Sequence, residues 1–127
     1  MENFEPYMVS ILVPIYNVER YISRCVKSLF NQTYQNLEFV FIDDCSTDNS
    51  LKVLKQEILL NPQRSSQCKI VKHDKNRGLK GSRNTGIANA SGSFIVHVDS
   101  DDSVDSHFIE LLVMRQQEGD FDIVSCD

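Results

Sequence analysis

No apolar run in this 127-residue chain approaches the roughly 20 residues that a bilayer-spanning helix needs, so no membrane segment is predicted. The opening residues Met1-Glu2-Asn3-Phe4-Glu5 are acidic and lack the apolar core of a secretory leader. The chain also lacks a basic excess. Lys and Arg number 13 against 18 Asp and Glu, a formal net charge of −5, which disfavours general binding to a nucleic-acid backbone. Its cysteines, Cys25, Cys45, Cys68 and Cys126, contain no CxxC pair and fit no zinc spacing. They read as reduced thiols of a cytoplasmic protein. Internal repeats, low-complexity segments and linkers are missing as well. What remains, at 41% hydrophobic and 24% charged, is an ordinary globular composition, and residues 1–127 read as a single domain or a large piece of one.

Strand and helix patterns alternate along the chain. Met8 to Val13 is nearly all apolar and stops at Pro14, as expected of a strand buried on both faces. Asn17 can cap a helix in which Val18, Tyr21, Ile22, Cys25, Val26, Leu29 and Phe30 recur at helical spacing. Leu37 to Ile42 is a second strand. The polar turn Asp43 to Asn49 follows, with Asp48 as the cap of a helix marked by Leu51, Leu54 and Ile58 and ended by Asn61-Pro62. Cys68 to His73 is a third strand. A loop over Asp74 to Gly81 leads to a helix over about Ser82 to Ala90, which Ser91-Gly92-Ser93 stops. Phe94 to Val98 is a fourth strand. Asp105 or Ser106 can cap a helix burying Phe108, Leu111 and Leu112, and Phe121 to Cys126 reads as a fifth strand. This order predicts an α/β fold: a doubly wound, mostly parallel sheet flanked by helices. A chain that stops on a strand is expected to be a truncated sheet, with an unpaired edge that favours self-association into a homo-oligomer.

In such sheets ligands bind at the carboxyl ends of the strands. Three polar stretches fall there: Pro14-Ile15-Tyr16-Asn17, Asp43-Asp44 and Asp99-Ser100-Asp101-Asp102. The last packs three carboxylates into four residues. Like charges that close are costly unless a cation joins them, and a hard divalent ion with oxygen ligands is the natural partner. The bland alternative, acids that only cap the helix near Asp105, needs one carboxylate and not three. The histidines His73, His97 and His107 are too scattered for a metal site, and His97 reads as a core or sheet-face residue.

Six stretches, in this order, resemble the N-terminal half of a family 2 glycosyltransferase with the Rossmann-like GT-A fold. They are Val13-Pro14-Ile15-Tyr16-Asn17, Ser28-Leu29-Phe30-Asn31-Gln32-Thr33-Tyr34, Asp43 to Ser50, Asn76-Arg77-Gly78, Ser82-Arg83-Asn84-Thr85-Gly86 and Asp99-Ser100-Asp101-Asp102. Each is moderately specific alone; together they span about Val9 to Val124. The resemblance implies a nucleotide-sugar-binding domain that uses a donor such as a UDP-sugar, with Mn²⁺ or Mg²⁺ as cofactor. It implies transfer with inversion to a glycan or other hydroxyl acceptor, and a place in polysaccharide biosynthesis. A divalent ion would stabilise the diphosphate leaving group as a Lewis acid.

Residue by residue, the resemblance makes Asp101 the metal ligand of a DxD motif. Asp99 belongs at the ribose hydroxyls and, through water, at the metal. Asp43 accepts the uracil N3–H. Asp44 either shares that role or ties down the turn through backbone N–H groups, and Asp43 carries the same alternative. Pro14, Ile15, Tyr16 and Asn17 line the base and ribose site, Tyr16 with an aromatic face. Arg83 and the Gly78–Gly81 loop meet the diphosphate, arginine by its planar charged fork and the loop by backbone donors at a helix start. No Lys-Ser/Thr follows that would make it a Walker A loop. Two departures stand out: Ser82 occupies a position where the family often has alanine, and Cys45 replaces a common glycine that would suit positive φ.

The resemblance puts the catalytic base well downstream. Asp120, Asp122 and Asp127 do not match it, so the base is expected beyond Asp127 and this chain is expected to hold the donor half of the enzyme. Two other classes compete. A receiver-type phosphoacceptor domain has similar length and alternation. It places its acidic pair after the first strand, whereas here the pair follows the second, and it needs a lysine after a late strand where only Ser125, Cys126 and Asp127 remain. A non-catalytic nucleotide-binding relative is opposed by the intact Asp99–Asp101 pattern.

Overall fold

The computed structural model describes residues 7–119 and 123–125. Its strands are β1 (Val9–Ile15), β2 (Leu37–Asp43), β3 (Cys68–Lys72), β4 (Phe94–His97) and β5 (Ile123–Ser125). They form one parallel sheet in the order β3-β2-β1-β4-β5. The chain winds outward from β1 through β2 to β3, then crosses back to place β4 on the other side of β1. That reversal opens a crevice above the carboxyl ends of β1 and β4. The outer parts of the expected fifth strand, Phe121, Asp122 and Cys126, lie outside the described residues, as do Asp120 and Asp127.

β1 runs through Pro14 to Ile15 and does not stop at the proline. The ladder explains this. Leu12 O accepts the Val98 N–H on the β4 side, and Ile15 O accepts the Asp44 N–H on the β2 side. By alternation, the N–H that Pro14 lacks would point toward β4, whose pairing with β1 ends at Leu12↔His97. Proline therefore removes no ladder bond there.

Helices cover both faces. On one, Val9, Ile11, Val13 and Ile15 of β1 and Phe39 and Phe41 of β2 pack against α1 (Ile22–Phe30), Leu54 of α2 (Ser50–Leu59) and Ile109 and Val113 of α5 (Phe108–Gly119). On the other, Leu12, Val40 and Ile42 form a smaller core with Val71, Ala90 and Ile95, under α4 (Gly78–Asn89). Gly86 sets the closeness of α4 to the sheet, because a Cβ there would lie 3.0 Å from Ile42 Cδ1 and 3.1 Å from Leu12 Cδ1. A short helix, α3 (Pro62–Ser65), follows α2. No helix among the described residues is long and apolar enough to cross a membrane.

Several sequence expectations shift. Asn17 does not cap α1. It sits at φ 50° and its Oδ1 accepts the Thr47 N–H at 2.8 Å, while α1 starts five residues later. Residues 18–21 instead form a turn held by the second βα loop, with Val18 N–H donating to Ser50 Oγ and Glu19 N–H to Asp48 Oδ2. The cap position of α2 is Asn49 and not the expected Asp48, which stands one residue earlier and accepts the Ser50 N–H. α4 begins at Gly78, so the expected Gly78–Gly81 loop is the first helical turn. In α5, Ile109 and Val113 face the core, and Leu111, two positions off that face, is 55% exposed.

Two buried carboxylates from the β2 region hold the two ends of α4. Glu38 accepts hydrogen bonds from Ser10 Oγ at 2.7 Å, Ser91 N–H at 2.8 Å and Ser91 Oγ at 2.6 Å, and pairs with Lys69 Nζ at 3.0 Å. Ser10 Oγ in turn accepts the Gly92 N–H. At the other end, Asp44 accepts the Arg77 N–H at 2.7 Å and the Gly78 N–H at 2.9 Å, and its Oδ1 lies 2.8 Å from His73 Nδ1. Burial alone would raise both pKa values. The hydrogen bonds outweigh it, holding Glu38 at about 2 against an ordinary 4.5 and Asp44 below its ordinary value.

A carboxylate with a depressed folded pKa contributes stability that is present above its unfolded pKa and lost as pH falls through the folded one. The melting temperature should therefore drop as pH falls from about 5 toward about 2. Glu38→Gln should cost about 1–3 kcal/mol at neutral pH and flatten that acid limb. Asp44→Asn, which removes the charged acceptor of the Arg77 and Gly78 N–H groups, should cost about 1–3 kcal/mol. Urea melts and a melting-temperature series against pH check this, and a level wild-type curve across that range would remove the account.

Candidate functional site

The crevice above β1 and β4 is an open cleft of about 480 Å³. Its floor is the end of β1, where Pro14 and Ile15 lead to Tyr16, whose ring is half exposed. One wall is the start of α4, with Asn76, Gly78, Leu79 and Ser82, backed by Asp44. The opposite wall is the turn after β4, with Asp99, Ser100 and Asp101. Gly78 opens α4 at φ 77°, a conformation that L side chains rarely adopt, and this lets its N–H turn onto Asp44.

Of the residues singled out in the sequence, Pro14, Ile15, Tyr16, Asp44, Asp99 and Asp101 line this cleft. Asn17, Asp43 and Arg83, expected in the site, are not among the residues that line it. Asn17 joins the first two βα loops through Thr47. Asp43 is 3% exposed and its Oδ1 accepts the Ser46 N–H at 3.1 Å. Arg83 brings Nη2 to 3.6 Å from Asp99 Oδ1, each side chain about one-third exposed.

Asp99, Asp101 and Asp102 each offer a carboxylate oxygen, all within 4.8 Å of one another. Hard divalent ions bind oxygen at roughly 2.0–2.6 Å, so oxygens at that spacing can share one ion. The field of the cluster reaches the core beneath it. The Cys25 thiol, whose Sγ donates to Asp99 O at 3.7 Å, is pushed up to about 12, first by burial and then by the charges of Asp102, Asp101 and Asp99. A cation at the cluster would relieve that repulsion, and the residues present fit a hard divalent ion.

Asp102, which the sequence already placed in the acidic cluster, completes it. Other residues around the site carried no assigned role in the sequence. His73, buried, bridges Asp44 and Thr85, with Nε2 2.8 Å from Thr85 Oγ1. Gln32, 2% exposed, fixes the chain that follows the acids: its Nε2 donates to Asp105 O at 2.7 Å and to Ser28 O, and its Oε1 accepts the Ile109 N–H at 3.0 Å. Ser28 Oγ accepts the Val104 N–H, and Thr33 N–H donates to Ser106 O. Gln32 works with Asp105, which accepts the His107 N–H, to start α5. Arg64, 3% exposed, donates to the carbonyls of Phe30, Gln32 and Tyr34 and so steadies the same segment. The motif around Gln32 was a signal for this; Arg64, set in a polar connection, gave none. Cys45 adopts φ 64°, the region that favours glycine, and its Sγ lies 3.2 Å from His73 O.

The sequence profile of the family described as Glycosyl transferase family 2 matches residues 10–127. Among curated proteins, the glycosyltransferase GlyG of Streptococcus pneumoniae serotype 4 is 37% identical over 117 residues, covering 92% of this chain and 38% of that protein. Among solved structures, S. aureus TarS 1-349 in complex with UDP superposes with a TM-score of 0.76 at 29% identity, covering 87% of this chain and 32% of that one. The mannosyltransferase PcManGT from Pyrobaculum calidifontis, in complex with GDP-Man and Mn²⁺, gives a TM-score of 0.72 at 26% identity, covering 76% of this chain and 28% of that one. The chain thus spans about a third of the length of these proteins. Its parallel doubly wound sheet is the GT-A architecture of those structures, and the chain belongs to glycosyltransferase family 2.

Proposed function

We propose that the cleft binds the nucleoside diphosphate of a sugar donor, a UDP-sugar in the first instance, and that the protein transfers the sugar with inversion to a hydroxyl of a glycan or related acceptor. The observation that carries this is the placing of the Asp99–Asp101–Asp102 cluster opposite the start of α4, across a cleft floored by Tyr16. Support comes from TarS, seen with UDP and with UDP-GlcNAc, and from PcManGT, seen with GDP-Man and Mn²⁺.

In this reading Asp101 and Asp99 hold Mn²⁺ or Mg²⁺, with Asp102 adding charge beside them. The ion, when bound, supplies Lewis-acid neutralisation of the diphosphate. Tyr16 packs on the base, with Pro14, Ile15 and Asn17 shaping the base and ribose site. Asp43 accepts the N3–H of uracil. Arg83 meets phosphate oxygens once its loose pairing with Asp99 gives way. Asp44 acts as a positioning residue, because its oxygens already bond Arg77 N–H, Gly78 N–H and the His73 ring. We place the base that deprotonates the acceptor outside residues 1–127, and the site on the cytoplasmic side, in keeping with the free thiols of Cys25, Cys45 and Cys68. A role in building a surface polysaccharide belongs to the same proposal.

UDP with Mn²⁺ should raise the melting temperature. At about 100 times its dissociation constant a ligand stabilises the fold by roughly 2.7 kcal/mol. No shift at saturation would sink the donor assignment. The two acids should also separate by calorimetry. Asp101→Asn should abolish the Mn²⁺-dependent gain in UDP affinity, whereas Asp43→Asn should weaken uridine and UDP alike, with or without metal. Equal losses in both variants at every Mn²⁺ concentration would refute this division.

A further inference from the structure

Ser82 is 1% exposed and lies in the α4 wall of the cleft. Its Oγ is buried and has no hydrogen-bond partner. A buried hydroxyl left unpaired is uncommon and unfavourable. On a helix such a group has a ready outlet in the carbonyl four residues back. Thr85, one turn further along α4, takes that outlet, donating to Gly81 O at 3.0 Å. Ser82 does not. Alanine would fill the same space with no unmet donor.

The adjoining residue repeats the pattern. Arg83 Nε is buried and without a hydrogen-bond partner, while its Nη2 reaches toward Asp99. Two successive residues thus present unmet donors between the start of α4 and the acidic cluster. Gly86, one turn on from Ser82, rests on Leu12 and Ile42. Ser82 therefore lies on the sheet-facing side of α4, above the ends of β1 and β2, where α4 meets the cleft. Because the Oγ holds no hydrogen bond, rotation about the Cα–Cβ bond would break none.

Resting on the reading of the cleft as a nucleotide-sugar site, we propose that the Ser82 hydroxyl donates a hydrogen bond to a phosphate oxygen of the bound nucleotide and is an affinity-determining residue for the donor. The adjacent Arg83 and the Asp99–Asp101–Asp102 cluster put the phosphates, and not the base, within its reach. Serine here gives up stability in the free protein for a contact made only when ligand is present.

The test pairs Ser82→Ala with wild-type protein, titrating uridine, UMP and UDP by calorimetry and recording melting temperature without ligand. The expected result is a ligand-free melting temperature equal to or above wild type, an affinity for UMP and UDP lower on the order of tenfold, and an unchanged affinity for uridine. A ligand-free melting temperature several degrees lower would mean that the hydroxyl is already bonded in the free protein, and would overturn the proposal. Equal UDP affinity in the two proteins would overturn it while leaving the nucleotide cleft intact. An equal loss for uridine would overturn the phosphate contact. Failure of wild-type protein to bind any of the three would instead overturn the reading of the cleft.

Discussion

One wall of the cleft depends on how α4 is held against the sheet. A helix on the smaller core of Leu12, Val40 and Ile42 has little apolar area to fix its position. It is fixed by charge-assisted hydrogen bonds instead, accepted by Glu38 at its far end and Asp44 at its near end. Such bonds are directional and about twice as strong as neutral ones, so they set position along the helix axis, which apolar contact alone leaves loose. Between them Gly86 sets the depth of the helix above the strands. The cleft wall at Gly78 and Ser82 inherits its placement from these three contacts.

The opposite wall is built from the other face of the sheet. There the acidic turn hangs between β4 and α5, and its following chain is gripped by Gln32, Ser28 and Thr33 at the end of α1. Arg64 in turn steadies the backbone that carries Gln32. A loop bearing three like charges would splay without such anchors. The two walls are thus fixed independently, one through β2 and α4, the other through α1 and α5, and they meet only across the cleft.

The alternation of strands and helices, and the edge at which polar residues gather, were legible because buried parallel strands write continuous apolar runs that end abruptly. Boundaries were less so where tertiary contacts override local pattern. Asn17 looks like a cap, yet the second βα loop claims its side chain. Gly78 and Gly81 look like a loop, yet Asp44 supplies from a distance the N-terminal partner that α4 needs, so the helix starts a turn early. Leu111 matches the apolar count of α5 but lies off the face that Ile109 and Val113 define. Long-range partners such as Gln32 with Ile109 leave no periodic trace at all.

The two acidic clusters share a pattern in sequence, since each follows an apolar strand and contains adjacent aspartates. Hydrogen-bond capacity separates them. Asp44 is 3% exposed and has two backbone N–H groups and a histidine ring on its oxygens. A carboxylate so satisfied has little left to offer a ligand, and removing it from its partners would cost more than a ligand contact returns. Asp99, Asp101 and Asp102 remain partly or largely open to solvent, and their repulsion is felt as far as the Cys25 thiol. Carboxylates crowded together are in a state that a cation improves. The same rule covers Ser82 from the donor side, a hydroxyl buried with nothing to receive its proton. Crowded negative charge on one wall and unmet donors on the other are complementary to a single ligand that combines a cation with anionic oxygens, which is the chemistry of a metal-bound diphosphate.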